Sequence, residues 1–422
     1  MNTSLPRIAV IGTGGTISSL GASSLDVLDY PDFGQKLGCE ALLEHFPETR
    51  LVADPVPVTF RQVGSTEIGP REWVELRALI HRIAREDPAI AAFVIPHGTA
   101  TLEETGFFLN LTLDVLDYPD FGQKLGCEAL LQRFPETRLV ADPVPVTFRE
   151  VGSTEIGPRE WVDLRALIHR IAREDPAVAG FVIPHGTATL EETGFFLNLT
   201  LAVAQPVVLV GAQRPASALG SDAGMNLVNA LRVAGSQEAR GKGVLAVLND
   251  EIHAARDVVK TSTYRLQTFR SLDYGALGHV DGDGAHFFRS PSRKHMPDTP
   301  FAALDLDALP RVDIVYSYAG ADGALVEAAV AAGARGIVSA GFAPGSPIPQ
   351  QRTAFERAAK FGVVVVQCSR AASGRVAPRR RLRESGIVAG EDLSPQKARI
   401  LLMLMLTTTS DVGAIQSAFQ TY

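Results

Sequence analysis

The chain is expected to be an α/β protein of two parallel-sheet domains, and three observations carry that expectation. Residues 206–210 and 244–248 are uninterrupted apolar runs, which suit parallel strands covered on both faces. Apolar residues at helical spacing alternate with such runs along the chain. Residues 26–113 recur as residues 114–201, so one α/β segment is present twice.

Taken in order, a short polar start (residues 1–7) leads into an apolar strand at residues 8–11. That apolar run is too short for a secretory leader, and the cytoplasm is the expected compartment. The two copies have a period of 88 residues and differ only at Glu44/Gln132, His45/Arg133, Gln62/Glu150, Glu75/Asp163, Ile90/Val178 and Ala92/Gly180. In the second copy, residues 138–148 read as one or two short strands. A helix follows, opened by Gly157-Pro158 and ended by Asp175-Pro176, with Trp161, Leu164, Leu167, Ile168 and Ile171 on one face. Residues 180–183 read as a strand, and a helix runs from Leu190 to about Leu201. One strand position cannot hold both copies. The first copy is therefore expected to be extruded and the second to complete the fold, at a chain-entropy cost of about 4 kcal/mol.

A Pro- and charge-rich stretch at residues 290–310 is expected to link an N-terminal domain (residues 1–289) to a C-terminal one (residues 311–422). In the latter, strands at residues 313–316, 336–339 and 363–366 alternate with helices, and Ser394-Pro395 reads as N-cap and first helical position of a final helix. The basic run at residues 379–383 reads as a solvated loop. A formal net charge of −7 gives no general attraction to nucleic acid or an anionic membrane. The sequence holds no paired C-x-x-C, H-E-x-x-H or P-loop, so no metal and no cofactor is expected. Cys39 and Cys127 are copies of one position, which with Cys368 gives no disulfide framework.

Three segments carry candidate chemistry. Gly12-Thr13-Gly14-Gly15-Thr16-Ile17 follows the first strand, where open α/β sheets bind ligands, and its glycines let N–H groups approach an oxyanion. A plain glycine turn or a dinucleotide turn is compatible with it too. His97-Gly98-Thr99-Ala100-Thr101, repeated as His185-Gly186-Thr187-Ala188-Thr189, opens a helix; its threonines suit capping, and Glu191 and Glu192 suit the helix dipole. Asn249-Asp250-Glu251 is followed by Arg256 and Lys260, the latter reading as a surface lysine when taken alone.

Together, T-G-G-T-I, H-G-T-x-T-x-E-E-T and N-D-x-I-x-x-x-R-x-V-x-K-T, in that order, resemble the bacterial L-asparaginase and glutaminase family. The resemblance covers essentially the whole chain once one copy is removed. It implies a larger flavodoxin/Rossmann-like N-terminal domain and a smaller α/β C-terminal one. It also implies hydrolysis of asparagine or a related small amide, with water as second substrate and no cofactor. Thr16 matches the nucleophile, and Thr187 (or Thr99) matches a second threonine paired with a lysine, Lys260. Tyr118 or Tyr30 matches a loop tyrosine. Gly15 and Gly186, with Ser153 and Thr154 (Ser65 and Thr66 in the first copy), match the substrate-holding segments. Ser346 is a candidate contributed by a neighbouring subunit, because the family assembles as tetramers. Two positions depart from the pattern. Ala188 (Ala100) stands where the family has an aspartate that contacts the substrate's ammonium, and Arg381 stands where a glutamate is expected, with only Glu384 close by. A substrate lacking a free α-amine, a catalytically impaired binding relative and, last, a subunit of a transfer-RNA amidotransferase are the alternatives.

Overall fold

The computed structural model describes residues 5–14, 18–20, 35–63, 68–97, 125–149, 152–218 and 220–422. The chain divides into two compact units, residues 1–122 and 123–422.

In the first unit, β1 (Arg7–Gly14) lies between β4 (Asp54–Val63) and β5 (Ile90–Val94), parallel to both. The short strands β2 (Ser19–Leu20) and β3 (Gln35–Lys36) pair antiparallel. Ile11 packs on Leu76 and Ile80 of helix α2 (Pro70–Glu86), and Val10 packs on Cys39 and Leu43 of helix α1 (Cys39–His45). Gly14 has φ +93°, and a Cβ there would lie 2.3 Å from the Val63 carbonyl oxygen, so this turn requires glycine.

The second unit holds a six-stranded sheet in the order β13-β12-β9-β8-β7-β6. Its members are β6 (Phe181–Pro184), β7 (Val207–Val210), β8 (Val244–Leu248), β9 (Glu251–Ala254), β12 (Gly278–Asp281) and β13 (Gly284–Phe287). The first three run parallel and the remaining pairings are antiparallel. β10 (Val259–Lys260) and β11 (Phe269–Arg270) form a separate small antiparallel ladder. A four-stranded parallel sheet follows in chain order: β14 (Val312–Tyr316), β15 (Gly336–Gly341), β16 (Val364–Ser369) and β17 (Val388–Ala389). The α/β class with parallel sheets expected from the apolar runs is thus observed.

Helices α3 (Cys127–Arg133), α4 (Pro158–Glu174) and α5 (Leu190–Thr200) come from the second copy. α4 starts where Pro158 fixes φ and the Gly157 N–H donates to the Glu160 carboxylate at 3.0 Å. Nearly every residue of α5 is buried, because it lies in a core shared with the helix Pro395–Met405, which the helix Val412–Thr421 follows. No helix among the described residues is long and apolar enough to cross a membrane.

Several local expectations need correction. The first copy is not extruded whole: its residues 54–63 and 90–94 flank β1. In the second copy residues 141–149 form no strand, although their sequence matches most of β4. Loop closure favours the nearer partner, but only by roughly 1 kcal/mol for a threefold difference in separation. The second copy is held elsewhere by tertiary partners. Buried Arg165 donates to the carbonyls of Thr200, Ala302 and Leu304 at 2.8–2.9 Å. The basic run is helical at Arg380–Glu384, with Arg380 bonded to Glu384 and Arg381 to Glu356. Ser394 occupies the N-cap position without a side-chain capping bond.

Candidate active site

The second copy's H-G-T segment leaves the end of β6 and turns into α5. Lys260 Nζ, on β10, donates to Thr187 Oγ1 at 2.8 Å. Burial pulls the Lys260 ammonium below its ordinary range, with the Glu191 charge opposing. Glu191 is itself buried. Its Oε2 accepts the Lys260 backbone N–H at 2.7 Å, and its Oε1 accepts from Gln396 Nε2 at 2.6 Å. A lysine whose neutral form is favoured by burial, fixed on a threonine hydroxyl, can take a proton through that hydroxyl.

The Ser153 segment lies against the same turn. A Cβ on Gly186 would come 2.6 Å from Ser153 Cβ, so this approach needs the glycine. Thr189 Oγ1 donates to the Ser153 carbonyl at 2.6 Å, and the Ala188 N–H donates to Ser153 Oγ at 3.4 Å. Helix capping by Thr187 and Thr189 is therefore overturned: neither hydroxyl is spent on the helix N–H groups, because Lys260 and Ser153 take them. Behind the turn, Trp161 Nε1 donates to Thr193 Oγ1 at 3.0 Å, and His185 Nε2 lies 3.0 Å from the same oxygen. His185 Nδ1 donates to the Gly186 carbonyl at 2.8 Å, and burial pulls the ring's pKa down. That leaves Nε2 to accept from Thr193 and holds the H-G-T backbone in place.

Of the residues singled out from sequence, Thr187, Lys260, Gly186 and Ser153 are brought together, with exposed Thr154 beside Ser153. Ser346 lies in a tight turn where its N–H donates to the Phe342 carbonyl at 2.7 Å. Among the described residues no hydrogen bond joins Ser346 to Thr187. Gly15, Thr16, Tyr30, Ser65, Thr66, Thr99 and Tyr118 lie outside the described residues. Upstream of Thr16, Thr13 Oγ1 donates to the Pro96 carbonyl at 2.8 Å within the first unit.

The sequence alone gives Glu191 only a helix-dipole role and gives Gln396 none, whereas both join the Lys260 site. It gives the motif arginine no partner either. Arg256 is buried, with Nη1 and Nη2 on the Asp392 carboxylate at 2.5 and 3.0 Å. Lys397 is also buried: Nζ donates to the Arg256 and Val258 carbonyls at 2.8 and 2.5 Å, and burial brings its pKa down to about 8. A polar residue inside an apolar helical run was the available signal for Lys397.

Comparison with known proteins gives the family of the chain. The family described as Asparaginase, N-terminal matches residues 7–120 and again residues 117–293, and the Glutaminase/Asparaginase C-terminal domain matches residues 311–419. An L-asparaginase 2 of Bacillus subtilis (strain 168) is 43% identical over 298 residues, covering 71% of this chain and 79% of that protein. An L-asparaginase 2 of Escherichia coli (strain K12) is 39% identical over 301 residues, covering 71% and 86%. The crystal structure of a probable cytoplasmic L-asparaginase from Campylobacter jejuni, 30% identical, matches with a TM-score of 0.60 over 100% of both chains. These relatives place the chain among the amidohydrolases. It belongs to the L-asparaginase and glutaminase-asparaginase family.

Proposed function

We propose that the protein hydrolyses L-asparagine, or a related small side-chain amide, through Thr16. The observation that carries this reading is the 2.8 Å bond between Lys260 Nζ and Thr187 Oγ1. Thr16 Oγ attacks the amide carbon while its proton passes to neutral Lys260 by way of Thr187. The carbon–nitrogen bond breaks, the proton leaves with ammonia, and the acyl group stays as an ester on Thr16. Water then cleaves the ester to release aspartate and restore the hydroxyl. N–H groups of the Gly14-Gly15 turn supply the oxyanion donors, each worth roughly 3–4 kcal/mol. Tyr118 or Tyr30 covers the site, and Ser153, Thr154 and Gly186 hold the substrate.

A homotetramer in the cytoplasm, with Ser346 completing a neighbour's site, is part of the same proposal and is tested by mass in solution and cell fractionation. The deciding assay is ammonia release from L-asparagine by the protein and by its Thr16→Ala variant. Release confined to the unaltered protein supports the mechanism, and equal release from both sinks it. One observation favours the second reading, a binding relative with impaired catalysis: Ala188, beside Thr187, offers no carboxylate to a substrate ammonium.

A further inference from the structure

Strand β1 is paired along both edges in the first unit, with Ala9 opposite Val56 and Phe93, Val10 opposite Val94, and Ile11 opposite Val58. The repeat carries those partners to Val144, Phe181, Val182 and Val146. In the second copy the same residues show no such pairing among the described residues. Among the described residues β6 pairs with β7 alone, and residues 141–149 join no ladder. Val144 is 77% and Val146 41% exposed, whereas Val56 and Val58 are half-buried. The helix covering β1 repeats the asymmetry. Cys39 is 2% exposed and its Sγ donates to the Val10 carbonyl at 2.9 Å, while Cys127 is only partly buried. The first copy is incomplete in the opposite sense: Val94 is 48% exposed on β5, where the second copy's strand is covered by β7.

We propose that the second copy is an alternative docking site for β1, and that this strand exchanges between β4–β5 and the open edge of β6. Its occupant is the chain's own Arg7–Gly14. Of the positions that pair with β1 in the first copy, only Ile90/Val178 and Ala92/Gly180 differ in the second. A strand edge without a partner among the described residues is a template for such a strand, and exposed Val144 and Val146 are the second copy's counterparts of Val56 and Val58. Resting on the hydrolase reading above, the exchange decides whether Thr16, which follows β1 in sequence, reaches the copy whose Thr187 is bonded to Lys260.

The three native cysteines read the exchange without further engineering. Cys39 reports the first site, Cys127 the second, and buried Cys368 in β16 reports whether the chain is folded. Peptides carrying Cys39 and Cys127 differ at Glu44/Gln132 and His45/Arg133, so mass spectrometry separates them. The double substitution Val58→Asp, Leu76→Asp damages the first site only. Thiol labelling is expected to appear at Cys39 and vanish at Cys127, with Cys368 still protected. Cys127 labelling unchanged from the unaltered chain overturns the proposal. If Cys368 becomes labelled the variant has unfolded, and the chain lacking residues 26–113 decides instead: a reactive Cys127 there overturns the proposal and a protected one supports it. Protection that depends on protein concentration assigns the edge to a second copy and overturns exchange within one chain. Protection of Cys127 without ammonia release leaves the strand exchange standing and removes the hydrolase reading.

Discussion

Gly180 and Ala234 approach so closely that no side chain fits between them: a Cβ on Gly180 would lie 2.3 Å from the Ala234 carbonyl oxygen. The first copy has Ala92 at this position. Only the second copy therefore fits beside Ala234 without a backbone shift, which agrees with its observed place next to β7.

That relationship predicts unequal outcomes for the two single-copy chains. Removing residues 26–113 keeps Gly180, and removing residues 114–201 puts Ala92 in its place. Overpacking against backbone costs about 1–3 kcal/mol. The chain lacking residues 114–201 is expected to melt at lower temperature, and Ala92→Gly in that chain is expected to recover most of the loss. Equal thermal midpoints with and without Ala92→Gly would contradict this.

A second prediction concerns the buried pair Arg256–Asp392. Burial alone raises the Asp392 carboxyl, but the Arg256 hydrogen bonds and charge outweigh it and hold the pKa down to about 2. A carboxyl lowered from 3.8 stabilises the fold above pH 3.8 by about 2 kcal/mol, and this is lost as pH falls through 2. Arg256→Ala leaves a buried charge without its main partner and is expected to cost about 3–5 kcal/mol in urea unfolding at neutral pH. The variant's stability should also fall off at higher pH than that of the unaltered chain. A loss below 1 kcal/mol would show that Arg293, 3.2 Å from Asp392, is partner enough.

Parallel strands at Val207–Val210 and Val244–Leu248 were legible because burial on both faces leaves an apolar run that no other element needs. Helix α4 was legible from proline at its start and one apolar face. The Lys260–Thr187 pair was legible only through resemblance, since a lone lysine carries no local signal. The placing of residues 141–149 was not legible at all. Their sequence is that of β4 up to Arg149, and which copy pairs with β1 depends on competition between distant segments. For the same reason the consequence of the Ala92/Gly180 difference was not legible without Ala234 beside it.

Ala188 yields a third prediction. It is exposed, next to Thr187, and its N–H faces Ser153 Oγ. Ala188→Asp supplies a carboxylate for a substrate's α-ammonium, a charge-assisted bond worth about 1.5–3 kcal/mol. The KM for asparagine is expected to fall by about one to two orders of magnitude, while an amide lacking the α-amine gains nothing. The new charge also favours protonated Lys260, so kcat near neutral pH should not rise with the affinity. An equal gain for both amides would show that Ala188 does not face the ammonium.

The pH dependence of turnover tests the lysine directly. Lys260 accepts a proton only when neutral, so kcat should rise with pH as its ammonium is lost. Burial pulls that pKa below 10.5, and Glu191 pulls it back up. The rising limb is therefore expected below pH 10.5, and Glu191→Gln should move it to lower pH by removing the opposing charge. Glutamine keeps an oxygen to accept the Lys260 backbone N–H that Glu191 now holds at 2.7 Å, so the strand geometry is retained. Lys260→Gln removes the titrating group and should flatten the limb as well as lower kcat by about two to four orders of magnitude. A limb that stays in place in Glu191→Gln, or that survives in Lys260→Gln, would assign the proton acceptor to another residue.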